Sequence, residues 1–283
     1  MADADWAKYK QLRGKPLPER IDVEGTAYGL TTVFKQDFYA ATGMFTRKTP
    51  STLPEQIILK IYHTEPLGII PLRWLGRRLC NREAFYYEKT DGIAGLPRFL
   101  GRQGEAGYIR EYVPGCDLRE YREQHNPDAP FYAQLREQLC AIHARGIAHN
   151  DLSKPENILV KPDGTPVIID FQIASRFTSR LPVVRQIGRR LLRYFQSLDV
   201  YHLDKHHRRG RRQDFSEEQL KKAKKKGLAL YLHGLLLRRP YRALRHFIMG
   251  RFMKVVPVTS GDTSATSTRS SRSKTESTRA NAA

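Results

Sequence analysis

Short apolar runs separated by turns fill the chain from Thr31 to Val113, a pattern that predicts β-strands. One interval differs, because Arg77–Lys89 has helical spacing and is followed by the turn Asp91-Gly92. The pattern therefore predicts a small antiparallel sheet with one helix between its third and fourth strands. The predicted strands are Thr31–Lys35, Met44–Arg47, Glu55–His63, Pro97–Gly101 and Gly107–Val113.

Helical periodicity dominates after this sheet. Apolar residues three and four positions apart predict a helix over Phe131–Arg145. Two short strands, Ile158–Val160 and Pro166–Ile169, bracket a turn farther along. Beyond Ser175 comes another apolar stripe at helical spacing, and two more helical stretches follow it. The stripe consists of Val184, Ile187, Leu191, Phe195 and Leu198, and the stretches are Ser216–Leu237 and Tyr241–Met253.

These patterns divide the chain into four parts with an α+β organisation. Residues 1–24 are polar and are expected to form an N-terminal extension, whereas residues 25–113 form the sheet-rich part. Residues 114–253 are expected to be mostly helical and to end in basic helices. The stretch 254–283 is rich in Ser and Thr, has almost no apolar residues, and is expected to be disordered.

Charge is unevenly distributed along the chain. Lys and Arg number 49 against 29 Asp and Glu, a formal net charge of +20, and nearly all of the excess lies after Ser175. Basic amphipathic helices suit an anionic membrane surface or a phosphorylated glycolipid, and they also suit nucleic acid, which we rank lower. A helical subdomain with merely solvated charges is the plain alternative.

Three cysteines without short spacing fit a reducing compartment rather than a disulfide framework. The N-terminal residues lack an apolar secretory segment, and the longest apolar run, Gly227–Leu237, is too short to cross a bilayer. We therefore expect a cytoplasmic protein, either free or held peripherally at the inner face of the membrane.

The densest chemical signal is a polar loop followed by a hairpin in the second half of the chain. Asp151, Lys154 and Asn157 lie in the loop, and Asp170 follows a buried strand one hairpin later. Phosphoryl transfer from a nucleotide needs such groups: hard oxygen ligands for metal ions, a lysine on phosphate oxygens, and a carboxylate that aligns the acceptor hydroxyl. An ordinary polar turn is the alternative, but the joined strand, loop and hairpin favour a functional constellation.

This arrangement resembles the protein-kinase-like fold, in which the catalytic loop has the form H-x-D-x-x-x-x-N and a later D-F-G supplies a metal ligand. The resemblance implies a bilobal molecule with a small antiparallel-sheet N-lobe carrying one helix and a mostly helical C-lobe. It implies that Asp151 is the catalytic base and that Lys154 lies near the transferred phosphate. Asn157 and Asp170 would bind Mg²⁺, and His149 would brace the loop through hydrogen bonds.

The same resemblance assigns a nucleotide site. Lys60, in the third predicted strand, occupies the place of the V-A-I-K lysine and is expected to contact the α- and β-phosphates of ATP. A buried lysine needs a partner, and Glu83 on the following helix is expected to provide it, with Glu88 as the alternative. Glu111 and Val113 resemble the hinge whose backbone contacts adenine.

The phosphate loop matches the family least well, since the chain has no G-x-G-x-x-G-x-V pattern. The loop Gln36–Gly43, with Thr42 and Gly43 at its end, is expected to cradle phosphate through backbone N–H groups. Asn157 falls one residue later than in the common pattern, and Gln172 replaces the glycine of D-F-G. With no A-P-E segment, the chain resembles small atypical bacterial kinases of the RIO-like and lipopolysaccharide-kinase-like branches.

We therefore predict an ATP- and Mg²⁺-dependent kinase that transfers the γ-phosphate to a hydroxyl acceptor. A serine or threonine of a protein is the first acceptor hypothesis. The alternative acceptor is a sugar hydroxyl of lipopolysaccharide or a related glycolipid at the membrane surface. A non-catalytic pseudokinase that serves as a binding module is the alternative from a different class, and the full set of Lys60, Asp151, Asn157 and Asp170 favours the enzyme over it.

Overall fold

Six antiparallel strands form a sheet in the first part of the protein. The computed structural model describes residues 17–36, 40–64 and 73–223, and those up to Ser216 belong to one compact unit. A helix, α1 (Arg73–Thr90), connects the fourth strand to the fifth. The strands are β1 (Arg20–Val23), β2 (Thr26–Gln36), β3 (Ala40–Arg47), β4 (Gln56–Tyr62), β5 (Phe99–Gln103) and β6 (Gly107–Glu111).

The strand order is β1-β2-β3-β4-β6-β5, and every neighbouring pair is antiparallel. Among the described residues, the predicted sheet with one helix between two of its strands is confirmed, but the sheet has six strands rather than the predicted five. β1 lies within residues 1–24, which the sequence predicts to be an extension. Ile21 and Val23 alternate inward from β1 and pack with Leu17 in the core of the sheet, so this segment is part of it.

Between residues 114 and 216, three α-helices and a second, three-stranded sheet follow. Asp117 and Asp128 cap two of these helices, because their carboxylates accept hydrogen bonds from amides of the first turn. The observed organisation is α+β, and the division into two lobes stays a prediction. The elements are β7 (Cys116–Asp117), α2 (Leu118–Gln124), α3 (Ala129–Ala144), a 3₁₀ turn (Pro155–Asn157), β8 (Ile158–Val160), β9 (Pro166–Ile168) and α4 (Pro182–Gly210).

One hydrophobic core joins the inner face of the large sheet to the helices. Leu135, Leu139 and Ile142 on α3 are fully buried in it, as the helical spacing predicts. Tyr87 of α1 and Phe171 belong to the same core. Because Phe171 follows Asp170 directly, packing of this core fixes the position of that aspartate.

The turn expected over Gln36–Gly43 is shorter than predicted. β3 begins at Ala40, because residues 40–42 are paired with β4, with Thr42 opposite Lys60. Asp37–Tyr39 lie outside the described residues. The predicted helix Ser216–Leu237 is helical over residues 217–223, and its remainder lies outside the described part, as do Tyr241–Met253 and the predicted disordered tail. No helix among the described residues is long and apolar enough to span a membrane.

Candidate active site

A cavity of about 210 Å³ opens between the large sheet, α1 and the segment that follows β9. This volume is several times the ~30 Å³ that one water molecule occupies, so the cavity can admit part of a ligand. Ionisable and polar side chains from distant parts of the chain converge on it. They include Thr42, Lys60, Glu83, Arg110, Asp170 and Gln172.

Lys60 and Glu83 form a buried ion pair at the cavity wall. The Lys60 Nζ atom donates to both carboxylate oxygens of Glu83, at 2.8 and 3.0 Å. The hydroxyl of Tyr62 also donates to this carboxylate, and Glu83 is buried. Burial alone would lower the pKa of Lys60, but the nearby carboxylates of Glu83 and Asp170 hold that pKa above its usual value. Lys60 therefore stays a cation. Its partner is Glu83, as the sequence predicts, and not the alternative Glu88.

Three buried tyrosines surround this ion pair. Tyr62, Tyr87 and Tyr108 are almost completely inaccessible to solvent. Burial raises the pKa of each phenol, and the negative charge of Glu83 raises it further. All three hydroxyls are therefore neutral and can donate hydrogen bonds at physiological pH.

Asp170 lies across the cavity from β4, at the end of the hairpin formed by β8 and β9. Its φ angle of 68° is in the left-handed region, a conformation that costs on the order of 1 kcal/mol for a residue other than glycine. Two contacts hold it there. Its backbone N–H donates to the Tyr87 hydroxyl at 3.0 Å, and its Oδ1 accepts a hydrogen bond from the Gln172 N–H at 3.2 Å.

Asp151, Lys154 and Asn157 are brought together in one loop. Lys154 Nζ lies 2.6 Å from Asp151 Oδ2, and Asn157 Nδ2 donates to the Asp151 carbonyl oxygen at 3.0 Å. This bond leaves the amide oxygen of Asn157 as the atom that a cation could use. The additional residue between Asp151 and Asn157 is accommodated by the 3₁₀ turn Pro155–Asn157.

Hydrogen bonds connect this loop to the residue before Asp170. His149 Nε2 lies 3.0 Å from the Ile169 carbonyl oxygen, and the Ile169 N–H donates to the Asn157 carbonyl oxygen at 3.0 Å. The His149 ring also contacts Phe171, with the ring centroids 5.0 Å apart. Burial lowers the pKa of His149, so the neutral ring braces the loop. The loop and the cavity therefore form one connected structure.

Asp199 on α4 is a further buried group at this loop, and sequence reasoning missed it. Its carboxylate accepts hydrogen bonds from the backbone N–H groups of His149 at 2.7 Å and Asn150 at 2.8 Å. His143 Nε2 lies 3.1 Å from the same carboxylate. Asn150 has a φ angle of 67°, so these bonds also stabilise a strained backbone. The sequence offered one indication of this role, since Asp199 directly follows Leu198, the last residue of the predicted apolar stripe.

His206, farther along α4, contacts Leu152, the residue that follows Asp151 in the loop. Its Nε2 lies 2.9 Å from the Leu152 carbonyl oxygen, and its Nδ1 lies 3.3 Å from a guanidinium nitrogen of Arg122. A neutral ring satisfies both contacts, since Nε2–H donates and Nδ1 accepts. Burial lowers the pKa of His206 to about 4, in agreement with this geometry.

Some residues expected at the nucleotide site lie elsewhere or have other partners. Gly43 does not line the cavity. Its Cα faces the core instead, because a Cβ atom added to Gly43 would lie 2.6 Å from the Cδ1 atom of Leu17. Glu111 ends β6, and its carbonyl oxygen accepts a hydrogen bond from Arg110 Nη1 at 3.0 Å. Val113 is buried beyond the end of that strand. Arg110, which the sequence analysis did not single out, lines the cavity instead.

A larger depression of about 310 Å³ lies beside α2 and α3. Its two aspartates have local structural roles: Asp128 accepts from the Phe131 N–H and Asp163 from the Thr165 N–H. No lysine, arginine or histidine is among the described residues that line this depression. We therefore place the candidate active site at the cavity that contains Lys60 and Asp170.

Comparison with known proteins gives partial matches to serine/threonine-protein kinases, whereas no family model matches the chain. The maternal embryonic leucine zipper kinase of Danio rerio is 34% identical over 127 residues, 43% of this chain and 18% of the relative. The probable serine/threonine-protein kinase PknB of Lactococcus lactis is 31% identical over 101 residues, 33% of this chain and 16% of the relative. The serine/threonine-protein kinase chk1 of Schizosaccharomyces pombe is 48% identical over 78 residues, 25% of this chain and 15% of the relative.

These similarities support a relationship to the protein-kinase-like superfamily. The chain spans less than a fifth of the length of the relatives named here. None of the three is named as a RIO kinase or a lipopolysaccharide kinase, so that narrower resemblance stays a prediction.

Replacement of Asp199 tests its role in holding the loop. We expect Asp199→Asn to lower the free energy of unfolding by about 2–4 kcal/mol, because two buried backbone amides lose a charged acceptor. Asp204→Asn, on the same helix but in a part-exposed ion pair with Arg136, should cost less than about 1 kcal/mol. Urea denaturation of both variants measures the difference, and equal losses would contradict the assigned role.

Replacement of His206 tests its neutral state. Between pH 6.5, near the ordinary pKa of histidine, and about pH 4, the unfolded chain binds a proton that the folded protein does not. Stability should therefore fall as the pH drops through this window, by up to about 3 kcal/mol from this residue. His206→Gln should make the pH profile of the free energy of unfolding shallower there. His125→Gln, which removes an exposed histidine, should keep the wild-type profile, and an unchanged slope in His206→Gln would contradict the assignment.

Proposed function

We propose that the protein is an ATP-dependent phosphotransferase of the serine/threonine protein kinase type. The observation that carries this proposal is the convergence of the Lys60 ammonium and the Asp170 carboxylate on one cavity. The loop containing Asp151 is hydrogen-bonded to the residue before Asp170. The kinase relatives support phosphoryl transfer as the general class of activity.

The cavity has the charged side chains that a nucleoside triphosphate requires. Lys35, Lys60 and Arg110 line it, and Ala40 and Ile58 add an apolar wall. Cationic side chains favour phosphate oxygens, and an apolar wall suits a flat base. Lys60, held in place by Glu83, is the residue we assign to the α- and β-phosphates. Thr42, opposite Lys60 in the sheet, is assigned to the phosphate side of the cavity. The hinge role of Glu111 and Val113 stays a prediction, because neither residue lines the cavity and both backbone groups of Glu111 already have partners.

The residues present fit Mg²⁺ as the accompanying ion. Among the described residues, no group of three or more His, Cys, Asp or Glu side chains could hold a metal by itself. Mg²⁺ does not need such a cage, because one or two protein oxygen ligands with substrate phosphates and waters suffice. Asp170 and the amide oxygen of Asn157 would be those ligands. The ion would neutralise charge on the phosphates when it is bound.

Asp151 is the residue that we assign to the acceptor. Its carboxylate would accept the proton of the acceptor hydroxyl while the new O–P bond forms and ADP leaves with the electrons of the broken O–P bond. Lys154 Nζ, 2.6 Å from Asp151 Oδ2, can remain near the transferred group. His149 and Asp199 hold the loop in position, so catalysis would come mainly from orientation and charge neutralisation.

A serine or threonine hydroxyl of a protein is the acceptor that we propose. The named relatives are serine/threonine-protein kinases, and they give no support to a glycolipid acceptor. The non-catalytic alternative gains no support either, because Lys60, Asp151, Asn157 and Asp170 are all present.

Two substitutions separate nucleotide binding from transfer. Asp170→Asn should strongly reduce the thermal stabilisation of the protein by magnesium-ATP, because it removes a charged ligand for the ion. Asp151→Asn should keep most of that stabilisation and lower phosphoryl transfer by roughly 10²–10⁴-fold, because only the proton acceptor is lost. Thermal melting and incorporation of labelled phosphate from ATP into protein and lipid fractions measure these effects.

Asp163→Asn is the matched control, since Asp163 lies in an exposed turn and bonds only locally. It should leave both nucleotide stabilisation and transfer unchanged. Equal loss of stabilisation in Asp170→Asn and Asp151→Asn would contradict the separate roles. A wild-type protein that magnesium-ATP does not stabilise would overturn the proposal, and label found only in lipid would overturn the protein acceptor.

A further inference from the structure

The first half of α4 exposes a row of large apolar side chains. Val183 is 72% exposed, Ile187 53% and Leu191 42%. Val184 and Tyr194 are also exposed. These five residues, here called the α4 stripe, occupy an arc of roughly 100° at 100° per residue on a helix. Single exposed apolar residues need no explanation, but a contiguous row indicates a contact surface.

The described residues of the same compact unit pack on a different face of this helix. Gly188 is buried against Phe177, where an added Cβ would lie 3.0 Å from the Phe177 Cβ atom. Phe195 stacks on Phe177 with their ring centroids 5.9 Å apart. Asp199, at the loop, is also buried. The α4 stripe is therefore not the side by which the helix is anchored in the fold.

The residues that flank the α4 stripe along the chain carry charges of a single sign. Residues 176–198 contain no Asp or Glu. The arginines on α4 in this interval are all exposed. They are Arg185, Arg189, Arg190 and Arg193.

We propose that the α4 stripe is a binding surface for an anionic lipid membrane. A helix with an apolar arc and arginines on its remaining exposed faces lies in the interface of a bilayer, with the apolar side chains among the acyl chains and the arginines toward the headgroups. Arg190 borders the arc of the stripe, and Arg185, Arg189 and Arg193 lie farther round the helix. Each arginine near the surface adds attraction to anionic lipids. The surface is distinct from the residues assigned to phosphoryl transfer, so this inference does not depend on the proposed function.

The composition of the α4 stripe favours lipid over other occupants. Valine, isoleucine and leucine dominate it, and Tyr194 is its single aromatic residue, whereas energetic centres of protein interfaces are rich in Trp, Tyr and Arg and poor in Leu and Val. A second copy of the chain, placed on the stripe by a two-fold axis, would bring the two sets of residues 176–198 together, and these contain arginines but no acid to pair with them. An anionic bilayer supplies both the apolar medium and the opposite charge.

Vesicle co-sedimentation with the full-length protein tests the proposal. Two sets of vesicles are compared: phosphatidylcholine alone, and an equal mixture of phosphatidylcholine and phosphatidylglycerol. We expect binding to the mixed vesicles and at least about tenfold weaker binding to neutral ones. The double variant Ile187→Ser/Leu191→Ser and the triple variant Arg185→Gln/Arg189→Gln/Arg193→Gln should each weaken binding to the mixed vesicles by about tenfold or more.

A charge-matched control removes three positive charges from another part of the chain. Lys224→Gln/Lys225→Gln/Lys226→Gln should retain most of the binding. If this control abolishes binding and the α4 variants do not, the basic C-terminal residues bind lipid and the proposal is overturned. Absence of binding by the wild-type protein also overturns it.

Two other outcomes would identify a different occupant. If the arginine variant loses binding but the serine variant does not, the attraction is purely electrostatic and insertion of the stripe is disproved. If the protein sediments as a dimer in analytical ultracentrifugation and Ile187→Ser/Leu191→Ser makes it monomeric, a second copy covers the stripe. Unchanged melting temperatures of all variants would show that the exposed positions do not affect folding.

Discussion

The buried carboxylate of Glu83 must be neutralised where it lies, and Lys60 is the cation that does so. An unpaired charge in that position would cost about 3–5 kcal/mol, so α1 and β4 cannot separate without a large loss of stability. The pair lies in the wall of the cavity, with the Lys60 ammonium 2.8 Å from the carboxylate. Its geometry therefore links the packing of α1 on the sheet to the shape of the candidate site.

A second buried carboxylate, Asp199, orders the opposite part of the site by a different means. Glu83 is satisfied by a lysine and a tyrosine, whereas Asp199 is satisfied by two backbone amides and the ring of His143. The first arrangement keeps a cation available to the cavity. The second fixes the path of the loop that contains Asp151. Together the two carboxylates hold the loop that contains Asp151 and the cavity wall, which come from distant parts of the chain.

Sequence reasoning could find the groups whose side chains need one another. A lysine in a buried strand requires a carboxylate, and Glu83 on the next helix was the natural candidate. Asp199 was harder to find, because two of its partners are backbone N–H groups, which leave no mark in the residue types. β1 was missed because four residues with two apolar positions, next to prolines, carry too weak a periodic signal. The apolar residues at helical spacing beyond Ser175 did predict a helix. Periodicity alone does not say whether other parts of the protein cover such residues.

Lys60 and Asp170 are assigned to opposite ends of the charged part of one bound nucleoside triphosphate. An acyl-phosphate derivative of ATP tests this binding. The small deprotonated fraction of a lysine beside the phosphates attacks the acyl carbon, forms an amide and releases ATP, and mass spectrometry locates the modified residue. We expect the derivative to acylate Lys60, and we expect an excess of magnesium-ATP to prevent this acylation. Labelling that leaves Lys60 unmodified, or modifies exposed lysines such as Lys221 and Lys222 without protection by ATP, would contradict it.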